Sequence, residues 1–226
     1  MNSFTKESRF MIENHLQDYV RIGFITATDI QVTGDHPELE RRLEKVRERR
    51  KKPLTEREDD FRIACRDMMR IGSYKPTGRS KPAPEYLLRE SGEEKFPRIN
   101  TVADISNYIS LKYLVPVSVW DTEKIEADYW RFRAGREDES YIFNPSGQVI
   151  ELKDVVTGFV VKNDREIPIV SPVKDSQETK TTGLTRNAAV AVYHPAHWAG
   201  EPQLHDIIDE FSHLLREISE TVTVNS

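Results

Sequence analysis

The stretch from Phe96 to Asp121, FPRINTVADISNYISLKYLVPVSVWD, constrains this chain most. It reads as a tight lead-in, a helix and then a buried strand. Pro97 presets an extended approach, and Asn100 or Thr101 can cap the helix by accepting hydrogen bonds from its free N–H groups. Val102, Ile105 and Ile109 recur at helical spacing and form an apolar stripe, which Leu111, Tyr113 and Leu114 carry toward the strand. Asp104 and Asn107 share a different face, where they can meet a ligand or tie down backbone. The β-rich run from Leu114 to Trp120 holds Pro116, a residue suited to a sheet edge or a bulge.

The rest of the chain alternates in the same way. Tyr19 to Val32 is rich in β-branched and aromatic residues and predicts a strand. Gly34-Asp35-His36-Pro37 predicts a turn opening a helix with a narrow stripe of Leu39, Leu43 and Val46, which Pro53 stops. A second helix is expected from Thr55 to Ile71, with Phe61, Ala64, Cys65, Met68 and Ile71 inward and Gly72 as its C-terminal cap. Residues 73–84 form a basic loop punctuated by Pro and Gly, followed by a helical turn at Glu85–Arg89. Strands are expected at WRFRA, SYIFN, VIEL, GFVVK and IPIV between Trp130 and Val173, and a buried central strand at Asn187–Tyr193. Leu204, Ile207, Ile208, Phe211, Leu214, Leu215 and Ile218 mark an amphipathic helix. The pattern is α+β, with a β-rich centre and helices at the ends.

A chain of 226 residues can bury a substantial core as one large domain or two small ones. No apolar run approaches the roughly 20 residues that cross a bilayer, and the N-terminus is too polar for the centre of a signal peptide. Cys65 is the single cysteine, so no internal disulfide can form; a cytoplasmic protein with no membrane partner is expected. Net charge is −5, which argues against indiscriminate nucleic-acid binding. Residues 41–81 nonetheless hold 15 Lys and Arg against 7 Asp and Glu. Such a sector can steer a phosphate backbone, or it can be a solvated helical face laced with pairs such as Glu38–Arg42 and Glu48–Lys52.

Arg98, Asn100, Val102, Asp104, Ser106-Asn107-Tyr108 and Pro116-Val117-Ser118-Val119-Trp120-Asp121 together resemble a known pattern. It is that of the editing module, modules three and four, of the phenylalanyl-tRNA synthetase beta subunit. The resemblance runs on to Thr185-Arg186-Asn187 and covers about residues 60–195, and is closer to stand-alone relatives of the module than to a synthetase subunit. It implies one α+β domain over 1–226: a mixed-sheet core with flanking helices, a strand–helix part at 1–59 and a C-terminal helix at 196–226. It also implies a tRNA-binding domain that takes the aminoacylated end of a tRNA, with no DNA and no cofactor expected. A pocket would be lined by Ser106, Asn107 and Ser118, supported by Asn100 and Asp104. Lys180, Thr181, Thr182 and Arg186 of the polar loop 175–187 would approach a phosphate or carboxylate.

The family's pocket histidine aligns with Ser118 and its phenol-sensing glutamate near Ala191. Serine does not replace an imidazole near neutral pH, and alanine accepts no hydrogen bond from a phenol, which argues against tyrosine editing in the synthetase manner. Two readings therefore stand: a trans-acting aminoacyl-tRNA deacylase, or a non-catalytic binder of an amino-acid-like molecule or a protein partner. A complete synthetase is not expected. Ser106, Asn107 and Asp104 also suit a polar helix end that satisfies loop backbone, and 175–187 also suits a surface loop. His194-x-x-His197, with Glu201 or Asp206, has zinc-ligand chemistry but lacks the His-Glu-x-x-His pattern, so no metal is expected.

Overall fold

The computed structural model describes residues 11–32, 36–93, 96–127 and 129–225. The Gly34-Asp35 part of the expected turn lies outside the described residues.

Among the described residues ten strands fall into two four-stranded sheets and a hairpin. The first sheet has the order β1 (Ile12–Asn14), β4 (Tyr129–Ala134), β7 (Val156–Lys162), β8 (Arg165–Val170). It is mixed, because β1 runs parallel to β4 while the other neighbours are antiparallel. The second, wholly antiparallel, has the order β10 (Thr221–Asn225), β2 (Val20–Thr28), β9 (Ala188–Pro195), β3 (Val117–Asp121). β5 (Ser140–Ile142) and β6 (Val149–Glu151) pair with each other. β3 is an edge strand, and Pro116 stands just before it, as a residue without an N–H requires.

The two sheets face each other through large aromatic rings. Phe24 on β2 lies 5.1 Å from Trp130 on β4, and Tyr193 on β9 lies 6.1 Å from Phe132, centroid to centroid. The opposite face of the second sheet carries helices. A Cβ built on Gly23 would come within 2.5 Å of the Ile208 side chain on α5 (Leu204–Arg216), so the glycine permits close helix–sheet approach. The fold is α+β with helices flanking a mixed-sheet core.

The helices follow their local signals. α1 (Pro37–Arg50) starts on proline, with the His36 ring accepting from the Leu39 N–H. α2 (Glu56–Asp67) opens on a capping box in which Thr55 and Glu58 satisfy each other's backbone N–H. It ends four residues before the expected Ile71; Gly72 adopts φ +51° against the Asp154 carboxylate. α3 (Ala83–Glu90) extends the predicted turn to a full helix. α4 (Thr101–Tyr113) is capped by Asn100, whose Oδ1 accepts from Ala103 N at 3.1 Å. It closes on Leu114 in the left-handed region at φ 59°, which turns the chain sharply into β3. Asn100→Ala is expected to cost about 1 kcal/mol in chemical denaturation, with Asn100→Asp recovering most of it; equal losses would show that the cap contributes nothing.

Candidate functional site

The 171–187 segment crosses from the end of β8 in one sheet to the start of β9 in the other, over one end of the inter-sheet space. It is shaped by short-range bonds. Ser171 Oγ donates to Lys174 O at 2.9 Å and accepts from the N–H groups of Val173 and Lys174. Ser176 N donates to Ile169 O, and Ser176 Oγ accepts from Glu178 N. Thr185 is buried and donates to Asp121 Oδ2 at 2.7 Å while accepting from Thr182 N.

This folding turns Asp175 inward. Its Oδ2 accepts from Val119 N at 3.3 Å, and its Oδ1 is closed off from solvent without a hydrogen-bond partner. Burial pushes the carboxyl up to about 7, against the opposing pull of the Ser118 hydroxyl, the Val119 N–H and the Lys180 charge. Ser118 is fully buried: it accepts from the Tyr193 hydroxyl at 3.1 Å and donates to Ser171 O at 3.2 Å. Ser118 and Ala191 are directly opposed across β3 and β9. Asp175, not singled out from the sequence, is the carboxylate beside them, with the Tyr193 hydroxyl on Ser118. Its only sequence signal was an acid at the head of a hydroxyl-rich loop.

The other expected site residues are placed as follows. Ser106 donates to Val102 O within its own helix, whereas Ser118 points between the sheets, so the two hydroxyls do not converge on one pocket. Asn107 is half-buried on α4 and makes no side-chain hydrogen bond among the described residues. Asp104 ties down backbone: Oδ1 accepts from Ile99 N and Oδ2 from Arg98 Nε, both at 3.0 Å. Asn100 reaches the loop, its Nδ2 donating to Thr181 Oγ1 at 3.2 Å. Thr182 is exposed in a turn, its Oγ1 accepting from Leu184 N. Arg186 donates to Ile30 O, away from Lys180, whose ammonium donates to Phe143 O. The loop and α4 thus meet at Asn100 and Thr181, while Arg186 anchors the far end.

The basic sector is largely consumed by ion pairs. Arg41 and Arg42 meet Glu38, Arg49 and Arg50 meet Glu58, and Arg62 and Arg66 meet Glu85. Arg47, Lys51 and Arg70 pair with acids three residues away. Lys45, Lys52, Arg57, Lys75 and Arg79 make no ion pair among the described residues. A groove of about 740 Å³ lies by this sector, lined by Arg57, Phe61, Lys112, Tyr113, Glu201 and His205 among others.

His194 is buried beside Phe61, with ring centroids 5.4 Å apart. Arg21 Nη2 donates to its Nδ1 at 2.9 Å, which leaves Nε2 to donate to Pro202 O at 3.0 Å. Among the described residues no three His, Cys, Asp or Glu side chains converge as metal ligands, and no helix is long and apolar enough to cross a membrane. Cys65 is buried in α2, and burial pushes its thiol well above the usual range.

Paired sheets flanked by helices, with the Asn100–Asp121 segment lying against the β8–β9 loop, make up an α+β domain. The model of the B3/4 domain matches residues 68–218, and the chain belongs to that family. It is therefore a relative of the phenylalanyl-tRNA synthetase beta-subunit module. Among solved structures it is similar to an N-terminal fragment of the phenylalanyl-tRNA synthetase beta subunit from Pyrococcus horikoshii. That similarity has 10% identity and a TM-score of 0.42, covering 91% of this chain and 46% of the other. The chain thus spans about half the length of that fragment. No curated protein matches it.

Proposed function

We infer that this chain is a tRNA-binding domain that receives the aminoacylated end of a tRNA at the junction of α4 and the β8–β9 loop. The observation that carries the reading is the B3/4 match over residues 68–218, which includes both α4 and that loop. The contact between Asn100 and Thr181 supports it, because it makes one continuous surface of the two segments the reading requires. Binding without hydrolysis is the better supported form: the hydroxyls of Ser106 and Ser118 are both committed to backbone carbonyls. Hydrolysis is the second reading, favoured by Asp175. A carboxyl near 7 beside the Ser118 position offers the proton-transfer range that serine lacks.

Filter binding of total tRNA across a salt series tests the first reading. Affinity that falls steeply with salt is expected, and its complete absence at low salt would sink the tRNA assignment. Incubation with a panel of charged tRNAs then separates the two forms. Under the first, deacylation stays at the background rate. Under the second, turnover appears and Asn107→Ala reduces it; an unchanged rate would remove Asn107 from the site.

A further inference from the structure

Four cations gather on the outer side of the β8–β9 loop. Lys174 Nζ lies 3.8 Å from the centroid of the Phe143 ring, and Lys180 Nζ donates to the carbonyl of that same residue. Lys124 Nζ donates to Lys180 O at 2.6 Å, which brings a third ammonium to the loop from the β3–β4 connection. Arg79 comes from the 73–84 loop, which is braced within itself by Tyr74 donating to Ser80 O and fastened here by Ala83 N donating to Pro172 O at 2.8 Å. None of the four forms an ion pair among the described residues. The neighbouring acids offset them in part: Asp175 faces inward with its carboxyl held up by burial and favours only the Lys180 charge, and Glu178 is exposed and forms no ion pair with any of the four. Lys174 is pushed below the ordinary lysine range by burial and by the charges of Arg79 and Lys180, and Lys180 is pushed down by burial against the opposing pull of Asp175.

Elsewhere in this chain most cations are neutralised by specific carboxylates, as in the α1–α2 sector. A cluster of like charges left without ion-pair partners is electrostatically costly until an anion supplies the missing charge. We propose that Arg79, Lys124, Lys174 and Lys180 form a phosphate-binding site around Phe143, which holds backbone phosphates of the bound RNA strand. The ligand class follows from the donors. Three ammonium groups and a guanidinium offer many N–H donors and no acceptor, which matches the several oxygens of successive phosphodiesters. Phe143 fixes the geometry, its ring beneath Lys174 and its carbonyl on Lys180. The assignment of RNA as the source of the phosphate rests on the tRNA reading above; the anion site itself does not.

The test uses the full chain and the Lys174→Gln/Lys180→Gln double variant, with Lys45→Gln/Arg57→Gln as a control that removes two unpaired cations elsewhere. Circular dichroism melts establish that each variant is folded. Filter binding of total tRNA over a salt series should show the first pair weakening affinity about tenfold or more at low salt. Its salt slope should shrink by about 1.4, the value for two lost phosphate contacts on a single strand. The control pair should retain most of the affinity and slope. Equal losses for the two pairs, or none for the lysine pair, would overturn the site. A second arm titrates pyrophosphate while following lysine side-chain NMR signals. Shifts at Lys174 and Lys180 that exceed those at Lys45 are expected, and uniform or absent shifts would overturn the anion site. Pyrophosphate shifts without any tRNA binding by the wild-type chain would keep the site and overturn RNA as its ligand.

Discussion

Asp175→Asn is expected to raise the melting temperature at pH 8 by roughly 5–10 °C, and by much less at pH 5. The reason is the position of the Asp175 carboxyl. Burial lifts it from 3.8 to about 7, so in the folded protein it holds its proton over a range where the unfolded chain has lost it. The folded state therefore binds more protons than the unfolded state between those values, and stability falls as pH rises through that window. The loss begins as pH passes 3.8 and is complete above about 7. Over the whole window the shift corresponds to about 4 kcal/mol, of which roughly 2–3 kcal/mol falls between pH 5 and 8. Asparagine keeps an acceptor for the Val119 N–H and removes the charge, so the variant should show a flatter dependence of stability on pH. Urea denaturation at pH 5, 6.5 and 8 checks this. Parallel wild-type and variant curves across that range would show that Asp175 does not titrate as its surroundings require.

How far the sequence foretold these features depends on the range of the interactions that make them. Helix starts were legible where the cap is local: Asn100 sits one residue before α4, and the Thr55–Glu58 box spans three residues. The central strand β9 was legible because its run of small and β-branched residues is buried on both faces. β1 was missed, since three residues carry no periodicity of their own and exist as a strand through parallel pairing with β4, more than a hundred positions later. β10 does alternate as TVTVN, but its five residues follow directly on a helix whose stronger signal masks them. Of the two i, i+4 pairs expected in the basic sector, Glu38–Arg42 forms, whereas Glu48 meets Lys51 instead of Lys52, and other partners are distant in sequence: Glu217 for Arg42, and Glu85 for Arg62 and Arg66. At the site, Asp104 was open to either a ligand or a backbone role, and it ties down the Ile99 backbone. The apposition of Ser118 and Asp175 could not be read at all, because it comes from a crossing between sheets rather than from spacing along an element.

Arg50 is the second position where one side chain carries a large effect. It stands at the end of α1 with its side chain 2% exposed, and it serves three acceptors. Nε donates to Leu111 O at 2.9 Å, Nη2 to Lys112 O, and Nη1 to Glu58 Oε1 at 2.7 Å. The two carbonyls belong to the last turn of α4, where no helical N–H follows to satisfy them. Arg50 thus ties α1, the start of α2 and the end of α4 together just before the chain enters β3. Glu58 is the matching anion: burial would raise its carboxyl, but the Thr55 N–H and Arg50 hold it down at about 2. Arg50→Ala leaves two carbonyls and a partly buried carboxylate short of donors at once, and should cost about 3 kcal/mol in urea denaturation at pH 7. Arg50→Lys should recover only part of this, because one ammonium on a flexible stem cannot reproduce a planar fork aimed at three oxygens. Losing this partner should also move Glu58 up toward its ordinary value, so the alanine variant's deficit should shrink as pH falls through 4 toward 2. A loss below 1 kcal/mol, or a deficit that stays constant down to pH 2, would mean that water replaces the guanidinium and that α4 is held to α1 by apolar packing alone.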